Sequence, residues 1–109
     1  MTRLALLVVT LTLAACSPEA KTKIAMLIGE KTVPEKEADI YGKRSLELLD
    51  HAMALRAKGD DAGKQVLSDA IDRRMQALNR YNVDCDNGNH HSCAKFSKLI
   101  EDWEERRPK

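Results

Sequence analysis

The chain has 109 residues, with 18 Lys and Arg against 17 Asp and Glu, so it lacks the clustered basic excess that drives nucleic-acid binding or broad attraction to anionic lipid. One Trp, one Phe and two Tyr exclude a large aromatic binding surface. A chain this short forms one small domain with a marginal core, the size class that depends on a staple.

The first segment reads as an export signal. Arg3 is followed by an uncharged apolar run from Leu4 to Ala15, too short to span a bilayer, which needs about 20 apolar residues. A basic start, about a dozen apolar residues and small residues before a polar break have the layout of a secretory signal peptide. The run ends Leu13-Ala14-Ala15-Cys16, which resembles the lipobox of bacterial lipoproteins. The resemblance implies that residues 1–15 are removed and that Cys16 carries a diacylglycerol as the first mature residue. Ser17, rather than Asp, follows the cysteine, and in the enterobacterial pathway this implies sorting to the outer membrane, facing the periplasm. Two or more acyl chains give stable attachment where one does not, so the expected partner of the N-terminus is the membrane. Loss of residues 1–15 removes Arg3 and no acid, leaving charges in balance.

Residues 16–31 are expected to form the lipidated N-terminus and a tether. SPEAKTK is polar and contains a proline, which suits a linker. IAMLIGEK places Ile24, Leu27 and Ile28 at helical spacing before Gly29, consistent with a short helix or a docking segment.

Residues 32–109 read as a helical domain. Thr32-Val33-Pro34-Glu35 fits a capping box, with proline in the first turn where it costs no helical bond. Tyr41, Leu48, Leu49, Ala52, Met53 and Leu55 recur at three- and four-residue steps up to Gly59, predicting a helix over 33–58 that ends on a left-handed glycine. A second helix is predicted over 62–83, with Val66, Leu67, Ala70, Ile71, Met75, Leu78 and Tyr81 as its apolar stripe. Asp69, Asp72, Arg73, Arg74 and Arg80 are assigned to its outer face. A third is predicted from Ser92 as N-cap, burying Phe96, Leu99, Ile100 and Trp103. No segment alternates apolar and polar residues long enough for a strand. The expected fold is all-α, a small antiparallel bundle or set of helical hairpins of about three helices, stapled by one disulfide.

The stretch DCDNGNHHSC, residues 84–93, concentrates the reactive side chains. As a calcium loop it fails, because Gly88, Asn89 and Lys95 stand where a loop starting at Asp84 needs an oxygen ligand, glycine and glutamate. Cys85, Cys93 and His90 or His91 form a possible zinc set, and a thiol beside histidine is a possible nucleophile. Against both, Cys85 and Cys93 are the pair left over once Cys16 takes the lipid, and an oxidising compartment favours their disulfide. Eight helical residues rise about 12 Å, beyond the Cα separation of about 4.4–6.8 Å that a disulfide tolerates, so the chain must reverse between the cysteines. Asp86-Asn87-Gly88-Asn89 supplies turn residues for the reversal.

Residues 81–104 also resemble the junction between units of cysteine-rich Sel1-like repeats, with Cys85, Gly88, Cys93, Phe96 and Leu99 at matching places. No second copy is present in the chain, and the resemblance implies a disulfide turn and a role in protein contacts. With no convergent acid–base set, Gly-rich phosphate loop or metal-helix motif, the expected function is non-enzymatic: a lipid-anchored accessory or interaction subunit with an envelope protein partner and no cofactor, for example in secretion, conjugation or entry-exclusion machinery. The alternative is a small metal-binding or sensing lipoprotein that uses Cys85, His90, His91 and Cys93.

Overall fold

In the computed structural model, which describes residues 17–107, four helices follow one another: α1 (Pro18–Ile28), α2 (Val33–Ala57), α3 (Ala62–Asp86) and α4 (His90–Arg106). Among the described residues there is no strand, and the fold is all-α. The lipobox residues 13–16 lie outside the described residues.

The short helix expected at Ile24–Ile28 starts earlier than its apolar spacing suggests, at Pro18, and takes in most of the polar SPEAKTK segment. Ser17 caps α1 by accepting a hydrogen bond from the Ala20 N–H (3.1 Å). Pro18 takes the first helical position, and Gly29 ends the helix at φ 73° with its N–H on the Ala25 carbonyl. The polarity of PEAKTK is compatible with a helix because Ala, Lys and Glu are good helix formers. Caps at both ends then decide the outcome.

α2 and α3 form an antiparallel pair closed by Gly59, which is left-handed at φ 71°. Their interface is built on small residues. In α2 the buried line is Glu35, Ala38, Gly42, Ser45, Leu49 and Ala52, steps of three and four that repeat every seven. In α3, Gly63, Ala70, Ala77 and Asp84 recur every seven residues. This is the seam of a two-helix coil, with small side chains letting the backbones close in. A Cβ added at Gly63 would stand 3.2 Å from the Ala52 carbonyl oxygen. The buried Ser45 hydroxyl donates to the Gly42 carbonyl of its own helix (2.7 Å).

The tight seam corrects the sequence reading of α3. Ile71 and Met75, assigned there to the buried stripe, are exposed. Burying the row 63, 70, 77, 84 turns positions 71 and 75 about 100–140° away from the partner helix. The larger apolar side chains that do pack flank the seam, among them Tyr41, Leu46, Leu67 and Leu78.

α4 returns along the pair and covers one side. Leu99 joins Ala38, Ala77 and Tyr81 in one core cluster, and Trp103 joins Leu49 and Ala70 in a second. Phe96 and Ile100, expected to be buried with them, are half-buried. The arginines assigned to the outer face of α3 cover aromatic rings. Arg74 lies 5.0 Å from the Trp103 ring centre, while Arg80 and Arg73 lie 4.6 and 5.8 Å from that of Tyr41, distances of cation–π contact. Arg80 also pairs with Glu37 of α2 (2.9 Å).

Candidate functional site at the disulfide corner

The turn between α3 and α4 carries the chemistry that the sequence concentrates there. α3 runs to Asp86, beyond the expected end at 83, and Gly88 reverses the chain at φ 107°. α4 begins two residues before Ser92, capped by Asn89, whose side-chain oxygen accepts from the His91 N–H (3.0 Å). Cys85 and Cys93 are joined in a disulfide, with Cα atoms 4.8 Å apart. The reversal inferred from helical rise is therefore made, and the bond locks it.

Ser92 does not cap α4. It is fully buried and donates its hydroxyl to Asp84 Oδ2 (2.5 Å). Asp84, also fully buried, is the hub of a polar cluster that sequence reasoning missed. Its Oδ2 further accepts from Thr32 Oγ1 (2.8 Å) and Asn89 Nδ2 (2.6 Å), while Oδ1 is buried with no hydrogen-bond partner among the described residues. A buried carboxylate is tolerated when such donors replace its water.

The network continues into α2. Thr32 caps that helix as expected, accepting from the Glu35 N–H (3.2 Å), but the Glu35 carboxylate turns inward. It accepts from Asn89 Nδ2 (2.8 Å) and Lys95 Nζ (2.7 Å). Lys95 also reaches both oxygens of Asp39 (3.0 Å each), and Asp39 accepts from Tyr81 Oη (2.5 Å) and Lys31 Nζ (2.9 Å). One connected set of side chains thus joins the starts of α2 and α4 to the end of α3.

The electrostatics of this set define what it can do. Burial works against the Asp39 carboxylate, but hydrogen bonds from Tyr81, Lys31 and Lys95 outweigh it and hold the pKa below the ordinary carboxylate value. Burial, then the bond to Asp39, pushes the Tyr81 phenol far up. Burial opposes the Lys95 cation, yet its bonds to Glu35 and Asp39 prevail and push it up. Each group is held more firmly in the form it already has at neutral pH. General acid–base catalysis draws on groups poised near neutrality, and these three are shifted away from it.

The zinc and nucleophile readings meet the same corner. Both sulfurs are committed to one another, and a disulfide sulfur is neither a thiolate ligand nor a nucleophile. His90 and His91 are exposed at the start of α4. Among the described residues no group of three or more His, Cys, Asp or Glu is arranged to hold a metal ion.

A second surface feature lies beside the corner. Ile24, Leu27 and Ile28 point outward from α1, and Leu27 is 86% exposed. Thr22 is the residue of α1 that is buried. An open groove of about 550 Å³ runs between α1 and the start of α2, lined by Lys21, Ile24, Ile28, Lys31, Val33 and Pro34 among others. No helix among the described residues is long and apolar enough to cross a membrane.

Comparison with protein-family models, curated proteins and solved structures finds no significant match to this chain.

Proposed function

We propose that this chain is a lipid-anchored envelope protein that acts without catalysis, as an accessory or interaction subunit that holds a braced helical domain against a membrane and presents it to another protein. The observation that carries the non-catalytic part is the protonation pattern of the corner: Asp39, Tyr81 and Lys95 are each stabilised in their neutral-pH form and consumed by mutual hydrogen bonds. Groups so held serve the fold as ion-pair and hydrogen-bond partners.

The anchoring part rests on the lipobox Leu13-Ala14-Ala15-Cys16, with Ser17 favouring the outer membrane. The Cys85–Cys93 disulfide supports it, because such a bond persists in an oxidising compartment. The exposed faces left for a partner are the corner carrying His90 and His91 and the outer side of α3 with Ile71 and Met75.

Metabolic labelling with an alkynyl fatty acid tests the anchor directly. The chain is expected to carry the label and to begin at Cys16 by mass spectrometry, and Cys16→Ala is expected to abolish the label. A wild-type chain with an unmodified Cys16 and an intact residue 1 refutes the reading.

A further inference from the structure

The exposed apolar residues of α1 form one stripe. At 100° per residue, Leu27 and Ile28 lie on either side of Ile24 within an arc of about 100°, the width of an amphipathic face. Thr22 and Met26 fall on the opposite side, where Thr22 is buried and Met26 half-buried. The helix therefore turns Thr22, Ala25 and Met26 toward the body and leaves three branched aliphatic residues exposed on the other side. Lys21 and Lys23, both exposed, flank the outward stripe on its two sides.

We infer that this face is covered by the bilayer surface, with α1 lying in the membrane interface as a second attachment beside the lipid on Cys16. This rests on the lipid-anchored reading. Three observations select the bilayer over other occupants. Only Ser17 separates Cys16 from the start of α1, so an acylated cysteine leaves α1 no linker with which to leave the surface. The stripe sits about 10–16 Å along the helix axis from Ser17, at a rise of 1.5 Å per residue, within reach of headgroups when the helix lies flat. An outward aliphatic face flanked by lysines is the pattern of a helix seated at the boundary of headgroups and acyl chains, where lysine stems extend back to the headgroups. The groove lined by Ile24, Ile28, Val33 and Pro34 carries the contact to the start of α2. Because the charges of the chain balance, the attraction is apolar, and zwitterionic lipid suffices.

The arrangement fixes the orientation of the domain. Short and capped by Ser17 and Gly29, α1 ties the start of α2 and the adjoining α3–α4 corner to the membrane side. The α2–α3 turn at Gly59 lies at the end of α2 opposite this attachment.

The test uses the full lipidated chain in phosphatidylcholine vesicles, with and without acyl chains brominated close to the headgroup. Leu27→Trp places an indole on the outward face, and Met75→Trp places one at a 57% exposed position on α3; the buried Trp103 is a common background. Leu27→Trp is expected to shift to the blue and to lose most of its added emission to brominated lipid, as for a side chain about 5–10 Å into the boundary. Met75→Trp is expected to be unaffected. Equal quenching of both, or of neither in vesicles that retain the chain with an acylated Cys16, overturns the inference while leaving the anchor intact. A blue shift without quenching, with dimers in detergent, assigns the face to a second copy and overturns it too. A chain that leaves the vesicles with no lipid on Cys16 overturns the anchor itself, and the inference with it.

Discussion

Replacing Asn89 with alanine removes three hydrogen bonds from one buried point. The side chain caps α4 through His91 N–H and donates from Nδ2 to Asp84 and Glu35, and it is fully buried. Loss of a cap costs about 1 kcal/mol. Leaving a buried carboxylate short of a donor costs about 1–3 kcal/mol for each of two carboxylates, and with the cap the effects come to about 3–7 kcal/mol, centred near 5. For a domain of total stability about 5–15 kcal/mol, that is a large share. In urea, with a slope of about 1–2 kcal/mol/M, that central value is expected to lower the midpoint of the oxidised chain by about 2.5–5 M in far-UV circular dichroism.

The companion variant Asn89→Asp sharpens the test. It keeps an oxygen for the cap but sets a third carboxylate where Nδ2 now meets Asp84 at 2.6 Å and Glu35 at 2.8 Å. At neutral pH it is expected to be less stable than Asn89→Ala, and to recover relative to wild type as the pH falls and the new carboxyl takes up a proton. An alanine variant within about 0.5 kcal/mol of wild type, the range of an ordinary surface change, refutes the reasoning. So does an aspartate variant as stable as wild type at pH 7.

The disulfide closes a loop of sequence separation 8, which the chain-entropy relation values at about 2–3 kcal/mol; Cys85→Ser with Cys93→Ser is expected to lose that amount in chemical denaturation while retaining helical circular dichroism. Stability is expected to have limits set by the corner. The Asp39 pKa is depressed in the fold, so its contribution is present above the unfolded value of about 4 and disappears as pH falls through the lower folded value. Tyr81 and Lys95 are raised, so theirs are complete below about pH 10 and are lost at higher pH; Tyr81→Phe is expected to weaken the alkaline loss in pH-dependent urea titrations. Two glycines are expected to respond with opposite signs. A Cβ at Gly42 meets Leu99 at an ordinary 3.5 Å, so Gly42→Ala is expected to raise stability by about 0.5–1 kcal/mol. Gly63→Ala forces a Cβ to 3.2 Å from backbone and is expected to lower it by about 1–3 kcal/mol.

The legible parts of the corner were those governed by local rules. Cysteine spacing, the rise of a helix and the turn residues 86–89 lead directly to a covalent reversal, and Thr32 caps α2 as its motif requires. The illegible parts involve residues far apart in sequence. Glu35 reads locally as half of a capping box, yet its carboxylate is taken by Asn89 and Lys95, partners 54 and 60 residues away. Ser92 reads as a cap, but Asn89 meets the free N–H groups first, which leaves Ser92 to satisfy Asp84. The seven-residue recurrence of Gly63, Ala70, Ala77 and Asp84 was a usable signal, obscured because apolar periodicity weights large side chains above small ones.

What the sequence determined by itself is the class of fold, the positions of the reversals and the covalent bond across one of them. All three follow from propensity, capping and chain geometry within about a dozen residues. The tertiary structure decided which face of each helix is inside. Small residues on α2 and α3 let two backbones approach closely, and that approach buries Ala70 and Ala77 while leaving Ile71 and Met75 in solvent. It also brought Glu35, Asp84, Asn89 and Lys95 together. A buried charge is stable only where its partners converge, and convergence is a property of three packed helices that no single one of them carries.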